Sequence, residues 1–403
     1  MGTTIATVRN APLPFSPPQI DGDEIEAVVE ALRSGWLTTG PRTQQFADQF
    51  RAFVEAPAAL PINSCTAALH VALAAWGVGP GDAVFTSPMT FTSTVHVIEH
   101  LGATPVLVDV EADTLNIDPV LLEKAVARAF ERGDRPKVLL PVHYAGHPAD
   151  LDPILDTAAA HGLKVLEDAA HSLPARYRGR PIGDVEHPSV ERAVAFSFYA
   201  TKNLTTAEGG MLVGQQDLVD EAKLWSLHGM GRDAWKRYGA GGSWFYEVTR
   251  PGFKYNMTDL QAAIGMVQLG KLARFDGQRQ SIANRYTDAL SELPELLPPT
   301  RRAEVEHAWH LYPLRLNLDR LSIGRDRFID ELTARNIGTS VHFIPIHHHR
   351  YYAEKYGFDP ELFPVATGAF RCEVSLPIYP SLTDADVGDV IEAVRDVVLA
   401  NRA

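Results

Sequence analysis

The chain has 403 residues, 45% hydrophobic and 22% charged, the balance of a globular protein large enough for two or three domains. Its net charge of −13 argues against nucleic acid and anionic membrane as partners, since both select a basic surface. Two widely separated cysteines, Cys65 and Cys372, exclude a disulfide framework, and with no signal-peptide pattern or membrane-length apolar run the expected location is cytoplasmic.

Residues 1–20 are rich in proline and read as an arm. Over 21–33 the apolar residues Ile25, Val28, Val29 and Leu32 recur at helical spacing, and Gly35 ends the pattern. Trp36-Leu-Thr-Thr-Gly40-Pro41 follows as a turn-rich loop, with Trp36 either at the lip of a site or capping a core. From Asn63 a regular alternation begins. Helices are expected at 63–76, 92–101, 119–132 and 151–161, and strands at 83–86, 105–109, 138–142, 164–167, 193–198 and 211–213. Short apolar strands separated by helices predict an α/β fold, a mainly parallel sheet covered on both faces. Ligands in such sheets bind beyond the carboxyl ends of the strands. After Pro251 one long helical pattern covers 256–272, and from Gln278 the reading is a smaller α+β domain with helices at 325–335 and 384–400 and a strand at 339–343. The predicted division is therefore an N-terminal arm (1–20), a large α/β domain (21–277) and a small C-terminal α+β domain (278–403).

Three strand ends carry the chemistry. Lys202 lies just past the apolar strand 193–198, in Ser197-Phe-Tyr-Ala-Thr-Lys202, before Gly209-Gly210. An apolar wall behind a lysine disfavours its ammonium form and suits it to Schiff-base chemistry. Asp168 follows the strand 164–167, where its carboxylate can point into a site or cap the next helix. Ser64-Cys65-Thr66-Ala67 opens a helix whose free N–H groups suit a phosphate, or form an ordinary N-cap. Lysine, buried carboxylate and phosphate cradle are together what pyridoxal 5′-phosphate (PLP) requires.

The chain resembles the DegT/DnrJ/EryC1/StrS family of PLP-dependent nucleotide-sugar aminotransferases, a fold-type I group. The likeness runs from Phe15-Ser-Pro-Pro to Ser375-Leu-Pro. It is carried by Ser34-Gly-Trp36-Leu-Thr-Thr-Gly-Pro41, Pro141-Val-His143-Tyr-Ala-Gly146, Glu167-Asp-Ala-Ala-His171, the Lys202 stretch and Gly252-Phe-Lys-Tyr-Asn256-Met-Thr-Asp-Leu-Gln-Ala-Ala263. The resemblance implies that Lys202 is the Schiff-base lysine and proton shuttle, and that Asp168 partners the pyridine nitrogen. It implies His171 near the phenolic oxygen, Phe91 stacked on the ring, and Thr66, Ala67 and Ser197 on the phosphate. Asn256 matches a phosphate contact from a neighbouring subunit, hence a homodimer with shared sites.

Lys254-Tyr-Asn256, the blocks 142–152 and 228–235, and His307-Ala-Trp-His-Leu311 resemble the subgroup that makes UDP-4-amino-4-deoxy-L-arabinose. The implied reaction aminates C4 of a nucleotide-linked 4-keto pentose, with L-glutamate as donor and PLP cycling through pyridoxamine phosphate (PMP). A TDP-4-keto-6-deoxyhexose is the alternative substrate, and a non-catalytic sugar-binding protein on the same scaffold the alternative class. His342 resembles a subgroup position near the substrate. The run His347-His-His349 suggests a loop at the substrate entrance or an exposed structural loop; adjacent strand positions chelate poorly, and no metal is expected.

Overall fold

Seven short strands pair into the central sheet of the computed structural model, which describes residues 9–231 and 245–403. Residues 1–8 of the arm and 232–235 of the block beginning at His228 lie outside the described residues. The first half of the chain runs α1 Gly22–Ser34, α2 Pro41–Phe53, β1 Ala58–Ile62, α3 Cys65–Ala75, β2 Asp82–Thr86, α4 Ser93–His100 and β3 Thr104–Leu107. It continues with α5 Pro119–Glu131, β4 Arg135–Leu140, α6 Leu151–His161, β5 Lys164–Asp168, β6 Arg176–Tyr177, β7 Arg180–Pro181, β8 Arg192–Ser197, β9 Gly210–Gly214 and α7 Gln216–Ser226. Then come α8 Asp259–Leu290, β10 Leu296–Leu297, β11 Val305–Glu306, β12 Tyr312–Leu316 and α9 Arg325–Ala334. The chain closes with α10 Arg350–Tyr356, α11 Pro364–Cys372, β13 Glu373–Leu376 and α12 Asp384–Ala400. Elements α2, β1, β6, β7, α7, β10, β11, β12, α10, α11 and β13 add to those expected.

The central sheet has the order β1-β9-β8-β5-β4-β2-β3, and β9 alone among these runs against its neighbours. Side chains alternate between its two faces. Phe85, Leu139, Val165, Val194, Phe196 and Met211 join the core under α2, α5 and α6. Val84, Leu140, Leu166, Ala193, Ala195 and Leu212 join the core under α3 and α7. Continuous apolar runs such as Ala193–Phe196 are what a sheet buried on both faces demands.

Helix α8 begins at the capping box of Thr258 and Gln261 and runs for 32 residues, roughly 48 Å. It therefore extends well beyond residue 272, where the helical pattern in the sequence ends. Ala262 and Leu272 pack under the central sheet, whereas Ile282, Ala283, Tyr286 and Leu290 pack against β12, β13, α9 and α12. One rigid helix thus ties both cores together.

The helix expected over 21–33 forms as α1, and one other local reading, the strand at 339–343, is corrected. The stripe of Ile25 and Leu32 on α1 faces outward, at 60% and 52% exposure. The inward residues are Ala31 and Glu24, and Glu24 is held by Lys271 at 2.9 Å and by the Gln268 amide at 2.7 Å. Residues 339–343 do not form a strand. Only Ser340 bridges to Ser375, and the next outward N–H, that of His342, goes to the Glu373 carboxylate at 3.0 Å, which diverts the backbone from the ladder.

Candidate active site

The carboxyl ends of β5 and β8, the start of α3 and the loop between β8 and β9 meet around a cavity of about 540 Å³. Because β8 and β9 are antiparallel neighbours, their connection needs no crossover helix. It stays above the sheet and presents Lys202. The loop closes through Phe198 N–H to Gly209 O and Thr206 N–H to Phe198 O, both 2.9 Å. A Cβ on Gly210 would fall 2.5 Å from the Ser64 carbonyl carbon and 2.6 Å from the Cys65 nitrogen. Glycine there lets the start of α3 press against the strand ends. By helix geometry the first N–H groups of α3 have no intrahelical acceptor, and the Ser64 hydroxyl takes that of Ala67 at 3.1 Å.

Lys202 lines this cavity. Burial lowers its hold on a proton, and although Cys65 and Asp168 pull the other way, the amine settles at about 8. Asp168 ends β5 and is 4% exposed. Its Oδ2 accepts the Thr94 hydroxyl at 2.8 Å and its Oδ1 the Ala170 N–H at 3.1 Å, with the Cys65 sulfur at 3.8 Å. Burial pushes this carboxyl up, against the hydrogen bonds and Lys202. Its neighbour Glu167 points to the opposite face, as strand alternation requires. There it pairs with Arg192 at 2.7 Å and His143 at 3.1 Å, a buried structural cluster.

His171, His310 and His342 also line the cavity. Burial drives the first two imidazoles well below the ordinary histidine value and His342 to about 4, so all three are neutral near pH 7. His171 lies 4.4 Å from His310, ring to ring, stacks on Phe343 at 5.6 Å, and has a buried Nδ1 without a partner. Phe91 is 60% exposed at the cavity, so it is not core packing. Thr66 and Ser197 line the wall, whereas Ala67 is buried and does not line it.

Two expected site residues stand elsewhere. Trp36 is half exposed beside Gly40, and Asn256 donates to the Thr39 hydroxyl at 2.7 Å. Asn256 lines a second cavity of about 400 Å³ with Thr39 and Gly40; neither it nor Trp36 lines the Lys202 cavity of its own chain. His347 is buried against Thr367 and Phe363, and none of the three adjacent histidines reaches Lys202. Among the described residues no group of three or more His, Cys, Asp or Glu is placed to hold a metal ion. No helix among them is long and apolar enough to cross a membrane. Sequence reasoning missed Thr94, Asn203, His310 and Phe343. His310 sits in the Trp309-His-Leu311 block, but nothing in its spacing reveals that it faces a lysine 108 residues away.

A lysine with a weakened proton, a buried carboxylate and an open helix start now share one cavity. The model of the DegT/DnrJ/EryC1/StrS aminotransferase family matches residues 18–395. The chain belongs to this family. It is therefore an aminotransferase of fold type I. It is 50% identical to the spore coat polysaccharide biosynthesis protein SpsC of Bacillus subtilis over 392 residues, 97% of this chain and 98% of that protein. Spr1654 of Streptococcus pneumoniae, solved in PLP and PMP forms, superposes with TM-scores of 0.87 and 0.88 at 33% and 34% identity, covering 96% of this chain and 99% of each. PseC of Helicobacter pylori, an aminotransferase involved in the biosynthesis of pseudoaminic acid, is 27% identical with a TM-score of 0.87, over 96% of this chain and 100% of that one.

Proposed function

We propose that this PLP-dependent sugar aminotransferase moves an amino group from L-glutamate to C4 of a nucleotide-linked 4-keto pentose, with the cofactor cycling between PLP and PMP. The observation that carries the reading is the convergence of Lys202, Asp168 and the α3 start on one cavity. The residues fit the cofactor. Glycine at 210 lets the helix start sit against the strand ends, where Ser64, Cys65 and Thr66 line the cavity, and the buried Nδ1 of His171 is without a hydrogen-bond partner. When bound, PLP supplies an aldehyde that takes up amino groups and a protonated ring that withdraws electrons from the neighbouring carbon.

In this reading Lys202 holds the cofactor and, when displaced by substrate, carries the proton to and from the reacting carbon. With its amine near 8, a useful fraction is neutral and able to accept that proton. Asp168 keeps the ring nitrogen protonated, and Thr94, Ala170 and Cys65 fix its orientation. Thr66, Ala67 and Ser197 serve the phosphate, Phe91 covers the ring, and His171 faces the phenolic oxygen. The neutral imidazole of His342 suits sugar hydroxyls better than a charged group would.

The pentose assignment rests on Lys254-Tyr-Asn256 and the 307–311 block. Trp36 and Asn256 act in the site of a second copy, which makes the working enzyme a homodimer. That both stand outside their own Lys202 cavity supports this, as does the outward apolar stripe on α1, the helix that ends just before Trp36. We place the enzyme in the reducing cytoplasm, in keeping with its two free cysteines.

The test is a half-reaction followed by absorbance, with Lys202→Ala alongside. Glutamate should bleach the wild-type cofactor band and a UDP-4-keto pentose should restore it. Recovery with a TDP-4-keto-6-deoxyhexose alone would keep the enzyme class and overturn the substrate.

A further inference from the structure

The hydrogen bonds behind Lys202 form a chain whose polarity is fixed from one end. Asn203, the next residue, is buried, and its amide nitrogen donates to two backbone carbonyls, Leu173 O at 2.9 Å and Ala308 O at 2.8 Å. Both amide hydrogens are used, so the orientation of the group is set and its Oδ1 faces His310. That oxygen can only accept, and it lies 3.2 Å from His310 Nδ1. His310 must therefore carry its hydrogen on Nδ1 and expose the lone pair of Nε2. Nε2 lies 3.5 Å from Lys202 Nζ, the outer edge of hydrogen-bond range, which suits a bond that tightens when the site is filled. The backbone on which His310 sits is pinned as well. The buried Arg279 donates through Nη1 to Ile378 O at 2.7 Å and Trp309 O at 3.2 Å.

We propose that His310 is a positioning residue for Lys202, accepting one hydrogen of the lysine amine at Nε2 in a tautomer dictated by Asn203. A free amine has two hydrogens and one lone pair. Giving one hydrogen to His310 stops the amine rotating and leaves its lone pair directed into the cavity, where the proton of the substrate carbon must be collected. A freely rotating amine would present that lone pair in the right direction only part of the time. The inference rests on the aminotransferase reading for its purpose, but not for its geometry. The other titratable groups facing the pair are His171, His342, Asp168, Cys65 and Arg279.

The experiment compares wild type with His310→Leu, His310→Gln and Asn203→Ala, using two readouts. In the first, the cofactor-free protein is labelled with 15N-lysine and the titration midpoint of Lys202, assigned by its loss in Lys202→Ala, is read by NMR. Removing the acceptor in His310→Leu should lower that midpoint by about one pH unit, because the charged form loses its hydrogen bond. Gln keeps an acceptor and should restore most of the shift, while Asn203→Ala, which frees the tautomer, should fall between. In the second, kcat of the loaded enzyme should drop roughly tenfold or more in His310→Leu with KM for glutamate unchanged, and recover in His310→Gln. A wild-type midpoint in folded His310→Leu would overturn the proposal, as would a Gln variant no better than Leu in both readouts. A wild-type enzyme that titrates as expected but transfers no amino group would refute the functional reading and leave the hydrogen bond standing.

Discussion

Replacing Asp168 by Asn should separate chemistry from stability. The carboxylate is 4% exposed, yet each of its oxygens already sits among groups that an amide can satisfy. The amide oxygen can keep the Ala170 N–H now accepted at 3.1 Å. The new NH₂ can donate to the Thr94 hydroxyl, whose own hydrogen can turn to Thr90, 2.6 Å away. Thr90 and Thr94 stay paired with their donor and acceptor roles exchanged, and a carboxyl that burial disfavours as an anion is removed. The fold should therefore persist, with stability changed by less than about 1 kcal/mol. Activity should not persist. Taking one member from a buried ionic pair costs about 3–5 kcal/mol, and if that loss falls on the transition state, kcat should fall roughly a hundred- to several-thousand-fold. Thermal unfolding and the glutamate half-reaction, run on the same preparation, decide the matter. A folded Asn variant within tenfold of wild-type kcat would refute the claim that Asp168 acts through its charge.

Three further perturbations have defined outcomes. Burial pushes the Glu373 carboxyl up to about 8 from an ordinary 4.5, so the folded state holds its proton longer than the unfolded chain and stability falls as pH rises across that window. Glu373→Gln should remove that fall, worth up to about 5 kcal/mol, and urea unfolding at pH 4 and pH 9 would show the two proteins diverging progressively as pH rises through the window between them. Gly146 has φ of +100°, and a Cβ there would lie 2.9 Å from His171 O and 3.1 Å from His310 N. Gly146→Ala should cost about 1–3 kcal/mol by thermal or urea unfolding and slow the half-reaction by forcing those two histidines apart. Phe91→Ala should leave the melting temperature unchanged, since the ring is 60% exposed, while weakening PLP retention on dialysis about tenfold.

What could be read from the sequence follows from where the physical signal resides. Strands such as Arg192–Ser197 announce themselves because a sheet buried on both faces requires an unbroken apolar run. Lys202, Asp168 and Thr66 could be found because each directly follows such a strand or opens a helix, so topology alone sends it to the cavity. His310 and Asn203 could not, since their pairing depends on two backbone carbonyls and a ring brought together from distant segments. The strand expected at 339–343 failed for a related reason: a carboxylate from β13 captured an N–H that local propensity had assigned to a ladder. Helix α1 marks the deeper limit. Its apolar periodicity correctly gives a helix, yet the stripe of Ile25 and Leu32 faces away from the core of its own chain, and it is Glu24, the residue of the wrong polarity, that turns inward to Lys271. Periodicity identifies a face that must be covered; it carries no information about what covers it, and a core-facing side can as well be built from an ion pair. An outward stripe on the helix just before Trp36, with Trp36 and Asn256 both outside the cavity of their own chain, is the pattern a shared active site would produce in a single chain.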